Sequence, residues 1–255
     1  SLEHDTTLQS SLKQAWKAID GQKIAIVILI DEASMLQRNR AELLLYLKAV
    51  LEQLQIDKIP VMILPAGTHY LLGPSGTGFS PIVRAFPPVY LVNFTEAESR
   101  AFVEKKVSYA GIECGNELFR KIYEVTEGHP FVITAYLWSI YSKLTAGETK
   151  ISSTHLDAAD VEFVDHVLAP FFARFYDKTG KASRDLLTCM AQEFGNEASI
   201  SDLSSFLKKE TNELSPYLAK LVQDGSLLRI DRGKYRFFHH LMVDYIKNKA
   251  KTSNH

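Results

Sequence analysis

The sequence predicts an α/β fold: a parallel sheet with crossover helices, then a helical stretch, then a C-terminal winged helix. Three observations carry this prediction. Residues 24–32, Ile-Ala-Ile-Val-Ile-Leu-Ile-Asp-Glu, form a near-continuous apolar run ending in two carboxylates. Such a run reads as a strand buried on both faces of a parallel sheet. A second apolar run, Ile59-Pro60-Val61-Met62-Ile63-Leu64, follows after one helix length. Near the C-terminus three helical patterns precede two β-rich runs around a tight turn, the order of a winged helix.

The elements follow in order. Leu8, Leu12, Trp16 and Ile19 have helical spacing and lead to Gly21, a stop before the first strand. An amphipathic helix is expected over 38–55, carrying Leu43, Leu44, Leu47, Val50, Leu51 and Leu54. The second strand ends at Pro65-Ala66-Gly67-Thr68, before a Gly- and Ser-rich loop at 73–80 and a short helix at 81–86. Val89-Tyr90-Leu91-Val92 reads as a third short strand. Strand–helix–strand order with long crossovers argues for parallel pairing.

Past residue 93 the pattern is helical. Thr95-Glu96-Ala97-Glu98 is a capping box opening a helix to about 110. A helix over 116–127 stops at Gly128, and Pro130 opens another through 144. The small, polar stretch 145–153 marks a boundary, and a helix over 154–176 connects to the last unit. There, helices are expected at 183–194, 200–209 and 213–224. Two strands flank the turn Asp231-Arg232-Gly233-Lys234, and a closing helix covers 239–249. No internal repeat is visible.

Composition narrows the function classes. With 255 residues and 46% hydrophobic content the chain has material for two domains with real cores. A net charge of −1 gives no global attraction to nucleic acid or anionic membrane. The two cysteines, Cys114 and Cys189, lack metal-ligand spacing, which suits a reducing cytoplasm. No secretory signal and no apolar run near 18 residues is present. The chain opens on Ser1 without an initiator methionine, and is expected to be a processed or cut-down piece.

Asp31 and Glu32 are the leading candidate site. In open α/β sheets ligands bind beyond the C-terminal strand ends, where these acids emerge. In phosphoryl-transfer sites the first acid holds Mg²⁺ and the second orients or deprotonates water. The alternative is that Asp31 only caps the next helix.

Together the motifs resemble the archaeal and bacterial P-loop ATPases of the AAA+ and STAND groups, including relatives of the archaeal origin-recognition proteins. The resemblance covers about 21–246. Ile28-Leu29-Ile30-Asp31-Glu32 looks like a Walker B motif, and Leu64-Pro65-Ala66-Gly67-Thr68 falls where the family carries its sensor-1 strand. Ser80-Pro81-Ile82-Val83-Arg84 resembles the segment with an arginine near the end of a short helix. Asn93-Phe94-Thr95-Glu96-Ala97-Glu98 looks like the entry to the helical lid, and Gly128-His129-Pro130 resembles the lid's Gly-x-Pro signature.

The resemblance implies a partial P-loop NTPase core over 1–93, a helical lid over 94–150, a connecting helix over 151–182 and a winged helix over 183–255. It implies ATP and Mg²⁺ as cofactors of the intact protein. Asp31 would be the metal ligand and Glu32 the residue that positions water. Thr68 would sense the γ-phosphate. Arg84, as an arginine finger, and His129 would report nucleotide state. Partners implied are nucleotide, a protein bound through the lid or winged helix, and other copies of the chain.

One departure matters. Nucleotide binding needs Gly-x-x-x-x-Gly-Lys-Ser/Thr before a helix, and in this family that loop precedes Walker B. Only about 23 residues precede the acidic strand here, and none match. A strand normally lying between the sensor-1 strand and the last strand would also be missing, leaving unpaired backbone groups. The expectation is a fragment. The segment Gly73-Pro74-Ser75-Gly76-Thr77-Gly78-Phe79-Ser80 imitates the loop, but Phe79 stands where lysine is needed and Pro81 interrupts the helix start. The chain alone is therefore expected to bind ATP weakly or not at all.

Two alternatives stand beside the ATPase reading. The C-terminal unit from 183 holds 11 Lys/Arg against 9 Asp/Glu, a balance of only +2, yet Arg229, Arg232, Lys234 and Arg236 lie within eight positions. That wing suits DNA, while the helix over 213–224 offers Lys220 against Glu213 and Asp224. The other alternative is a degenerate, non-catalytic scaffold. Phe171-Phe172 and Phe175-Tyr176 read as core or domain interface. His239-His240 have no partner acid at metal spacing, so no metal is assigned to them.

Overall fold

The structure is a computed structural model that describes residues 7–19, 25–33, 40–67, 85–87 and 89–252. The chain separates into two compact units, Ser1–Leu91 and Val92–His255.

The first unit is built on two parallel strands. Helix α1 (Leu8–Ala18) starts at Thr7, whose hydroxyl accepts the Ser10 N–H. Strand β1 (Ile26–Ile30), helix α2 (Arg40–Ile56) and strand β2 (Val61–Pro65) follow. The strands pair in register from Ile26↔Val61 to Ile30↔Pro65. One sheet face is covered. Ile26, Ile28, Val61 and Ile63 pack against Leu8, Leu12, Leu47, Val50 and Leu54 of the two helices.

The other face corrects the expectation of a strand buried on both sides. Val27, Leu29, Met62 and Leu64 are 55%, 74%, 55% and 48% exposed. Among the described residues α1 and α2 cover only the alternate side chains, and the strand period of two leaves the rest bare. The predicted strand over 89–92 is also corrected. The structure gives it no strand pairing, and Val89, Leu91 and Val92 are all more than 80% exposed. An apolar run needs a neighbouring ladder to become a strand, and no described residue supplies one. The 73–80 loop and most of the 81–86 helix lie outside the described residues; Phe86 is buried against Leu47 and Ile63.

The second unit is mainly helical. Helix α3 (Glu96–Tyr109) opens on the predicted capping box: the Thr95 hydroxyl accepts the Glu98 N–H, and the Glu98 carboxylate accepts the Thr95 N–H at 2.9 Å. A short strand β3 (Glu113–Cys114) leads to helix α4 (Asn116–Thr126) and helix α5 (Pro130–Tyr141). Strand β4 (Lys150–Ile151) pairs parallel with β3, with Ile151 buried. The stretch taken as a polar boundary thus contains a ladder whose side chain enters the core. Two-residue strands carry no periodicity, so sequence patterning cannot find them.

The predicted 154–176 helix is interrupted. Helix α6 (Ser153–Glu162) passes into a π-helical turn, Phe163–Leu168, and continues as α7 (Ala169–Tyr176). Pro170 lacks an N–H and crowds the preceding turn, and the wider π-turn gives it room. Next come α8 (Lys181–Cys189) with a second π-turn, Met190–Phe194, strand β5 (Glu197–Ser199), α9 (Ile200–Leu207) and α10 (Thr211–Gln223). Strands β6 (Leu227–Asp231) and β7 (Lys234–Phe237) form the predicted hairpin, with Gly233 at φ +71°. Strand β5 joins it to give an antiparallel sheet ordered β5-β7-β6, and α11 (Leu241–Thr252) closes the chain. One core runs through this unit, from Val103 of α3 through Tyr136, Phe163, Phe172 and Leu218 to Ile246 of α11. Among the described residues no helix is long and apolar enough to cross a membrane.

Candidate functional site

The two strand ends of the first unit create a small, defined edge. Ala66 N–H donates to the Ile30 carbonyl, and Ala33 N–H donates to the Ala66 carbonyl, both at 2.8 Å. These bonds hold the residues just beyond β1 beside Ala66 and Gly67 beyond β2. Within this edge Glu32 has φ +50°, the left-handed region that a residue with a Cβ rarely adopts. That conformation costs roughly 1–2 kcal/mol. It is held by the strand-end bonds and by the Asp31 carboxylate, which accepts the Glu32 N–H at 2.8 Å. Asp31 and Glu32 are both exposed. Two adjacent, hydrated carboxylates at the C-terminal edge of a parallel pair suit a hydrated divalent cation and a polarised water better than a buried acid pair. Backbone strain of this kind accumulates where a side chain must be aimed. Thr68 and Arg84 lie outside the described residues.

His129 belongs to the second unit. It sits at the N-cap of α5, with Pro130 in the first turn. Its ring meets Phe171 edge-on at 5.8 Å and His239 at 6.2 Å. Its Nδ1 is buried with no hydrogen-bond partner. Burial pushes the imidazole below its ordinary pKa, so it is neutral at physiological pH.

The turn before it is tightly specified. Glu127 caps α4 at φ +46°, its N–H donating to the Tyr123 carbonyl at 2.8 Å. Gly128 follows at φ +70°, and Phe94 N–H donates to its carbonyl at 2.9 Å. The Asn93 amide donates to the Glu127 carbonyl at 3.0 Å. The segment leading into α3 and the Gly-His-Pro turn, 34 positions apart, are therefore stitched together through backbone groups.

Three further residues meeting at this turn were not read as a site from sequence. The Glu127 carboxylate meets His240 Nδ1 at 3.1 Å. That contact, chiefly, holds Glu127 below the usual carboxylate range. His239 is fully buried, with Nε2 at 3.0 Å from the Thr126 carbonyl and Nδ1 accepting the Leu241 N–H at 3.3 Å. Desolvation lowers its pKa to about 4. The partner acid that sequence spacing denied to His239-His240 arrives from a turn more than a hundred positions away. No local pattern announces it.

The fold, a parallel α/β unit followed by a helical unit, is similar to that of solved ATPases. The Walker-type ATPase paby2304 of Pyrococcus abyssi matches at a TM-score of 0.69 and 13% identity, covering 95% of this chain and 69% of that one. RuvB of Thermotoga maritima matches at a TM-score of 0.50 and 19% identity, covering 97% of this chain and 74% of that one. Residues 169–246 match a family model described as a domain of unknown function, DUF8462. No curated protein matches the chain.

Proposed function

We propose that this chain is the metal-and-water side of a STAND-type, nucleotide-dependent AAA+ switch, joined to a helical lid and a C-terminal winged helix. The observation that carries the reading is the strained Glu32 beside Asp31, held against Ala66 at the shared end of two parallel strands. In this reading Ile28–Glu32 is the Walker B motif and Leu64–Thr68 the sensor-1 segment. Asp31 would hold Mg²⁺ through water, Glu32 would orient the attacking water, and Thr68 would sense the γ-phosphate. Arg84 acts across to a neighbouring copy in a homo-oligomer, and His129 links the lid to nucleotide state.

The phosphate-binding loop belongs, in this reading, to a further strand–helix segment. The bare apolar face of Val27, Leu29, Met62 and Leu64 supports that, as does the unpaired, exposed Val89–Val92. Both are the surfaces an added central strand and its helix would cover. The order of helices and the β5-β7-β6 sheet of the second unit support the winged-helix assignment. The Glu127–His240 contact between the turn after α4 and the start of α11 supports a switch protein that passes its state to a protein partner, and in this reading the protein is cytoplasmic.

Calorimetry tests the reading directly. Residues 1–255 are expected to bind Mg-ATP weakly or not at all, because no described residue wraps the β- and γ-phosphates. Micromolar affinity would sink the placement of the phosphate loop elsewhere. In the protein completed by that loop, Glu32→Gln is expected to lower hydrolysis by about 10²-fold or more while ATP still binds. Undiminished hydrolysis would remove Glu32 from catalysis.

One observation favours a second reading, winged-helix DNA binding: Arg229, Arg232 and Lys234 are all exposed along the β6–β7 hairpin. Against it, α10 presents exposed Glu213 near its start, and Asp224 follows its end. Salt-dependent binding of duplex DNA that disappears in Arg232→Ala/Lys234→Ala would promote it. Absence of binding at low salt would remove it.

A further inference from the structure

The turn after α4 and the start of α11 bring together a ligand set that the nucleotide reading does not use. Glu127, His239 and His240 each offer one oxygen or nitrogen, and these three atoms lie within 4.8 Å of one another. Zinc holds imidazole nitrogen and carboxylate oxygen at about 2.0–2.2 Å, so neighbouring ligand atoms of a tetrahedral ion stand about 3.3 Å apart. The Glu127–His240 pair already has that spacing, at 3.1 Å. Two imidazoles and a carboxylate form a borderline-soft set that selects zinc over magnesium or calcium.

The surroundings are also those of a metal site. Metal-bound histidines commonly give their second nitrogen to a backbone carbonyl, which fixes tautomer and ring orientation. His239 is fixed in this way, with Nε2 at 3.0 Å from the Thr126 carbonyl. Glu127 is fixed as well. Its left-handed backbone is pinned by Tyr123 on one side and Asn93 on the other. The rings of His239 and His240 are stacked at 4.9 Å and 24°. An independent observation lies beside them: the buried Nδ1 of His129 has no partner, on a ring 6.2 Å from that of His239.

We propose that Glu127, His239 and His240 form a zinc site that fastens the turn preceding α5 to the first turn of α11. Entry of the ion requires His239 Nδ1 to exchange the Leu241 N–H, at 3.3 Å, for the metal, while Nε2 keeps the Thr126 carbonyl at 3.0 Å. Arg236, whose charge also reaches Glu127, opposes cation binding and sets an upper limit on affinity. The ion would cross-link segments that 113 positions of chain separate, and so act on the coupling between lid and C-terminal sheet. The inference stands independently of the nucleotide reading.

Cobalt(II) is the probe for the test, because tetrahedral imidazole–carboxylate coordination gives it visible bands far stronger than the weak absorption of hydrated cobalt. The full chain at neutral pH is expected to take up one equivalent, with bands bleached by equimolar zinc, and zinc is expected to raise the melting temperature. His240→Gln is expected to weaken zinc binding by about a hundredfold or more. His155→Gln, which alters the separate Glu148–His155 pair at 3.3 Å, is expected to leave it unchanged. Absence of cobalt bands at tenfold excess would overturn the proposal, and so would bands that survive His240→Gln and vanish in His155→Gln. Zinc-edge X-ray absorption on the unmutated chain gives an answer that no variant's folding can obscure. Imidazole scattering supports the site, and an all-oxygen shell refutes it.

Discussion

Gly128→Ala is expected to destabilise the second unit by about 3–4 kcal/mol, a large share of the stability of an ordinary domain. Two costs combine. At φ +70° an alanine is strained by roughly 1–2 kcal/mol whatever the space around it. Here there is no space, because a Cβ built on Gly128 meets the Phe94 carbonyl oxygen at 2.0 Å. That atom is backbone and cannot rotate away. Relief means moving the segment leading into α3, which breaks the Phe94 N–H bond to the Gly128 carbonyl. Gly111→Ala separates the terms. Its φ of +66° imposes the same strain, but nothing lies within 4 Å of its added Cβ. It is expected to cost only about 1–2 kcal/mol. Denaturation followed by fluorescence of Trp138, in the second unit, measures both variants. Equal losses for the two glycines would refute the close approach.

The second large effect is acid destabilisation of the junction around His239. Its folded-state pKa, about 4, lies below the 6.5 of an unhindered imidazole. The unfolded chain therefore binds the proton more readily, and stability falls as pH drops. The contribution is complete above about pH 6.5 and is lost progressively as pH falls from there through about 4, amounting to roughly 3 kcal/mol. His129, lowered by burial, acts in the same direction. So does Glu127, whose depressed pKa makes its contribution present above the unfolded carboxylate value and lost as pH falls through the folded one. With a chelator present to remove any bound metal, unfolding free energy measured between about pH 7.5 and 4.5 is expected to decline steeply. The slope is expected to flatten in His239→Gln. A variant whose slope equals that of the parent chain would show that the acid response arises elsewhere.

Much of this protein was written in local patterns. The capping box at Thr95 and Glu98, the proline opening α5, the glycine in the β6–β7 turn and the apolar runs of β1 and β2 are decided by neighbours in sequence. Their causes are dihedral preference, a side-chain cap or a period of two or 3.6 residues. Asp31 and Glu32 were legible for the same reason: a strand ending in acids places them at a sheet edge wherever the sheet lies.

Contacts between distant segments were decided by tertiary structure alone. Apolar character in β1 did not reveal which side chains meet helices, because burial depends on what packs opposite; Leu29 is exposed and Ile28 is packed against α1 and α2. Val89–Val92 has strand composition without a strand, since hydrogen bonds need a second chain segment in register. Strand β5 has almost no composition signal, yet becomes a strand because β7 offers it a free edge. The left-handed backbone of Glu127 and the burial of His239 follow the same rule. Each is imposed by the packing of the turn after α4 against the start of α11, and a one-dimensional sequence holds no local trace of an encounter between residues 126 and 239.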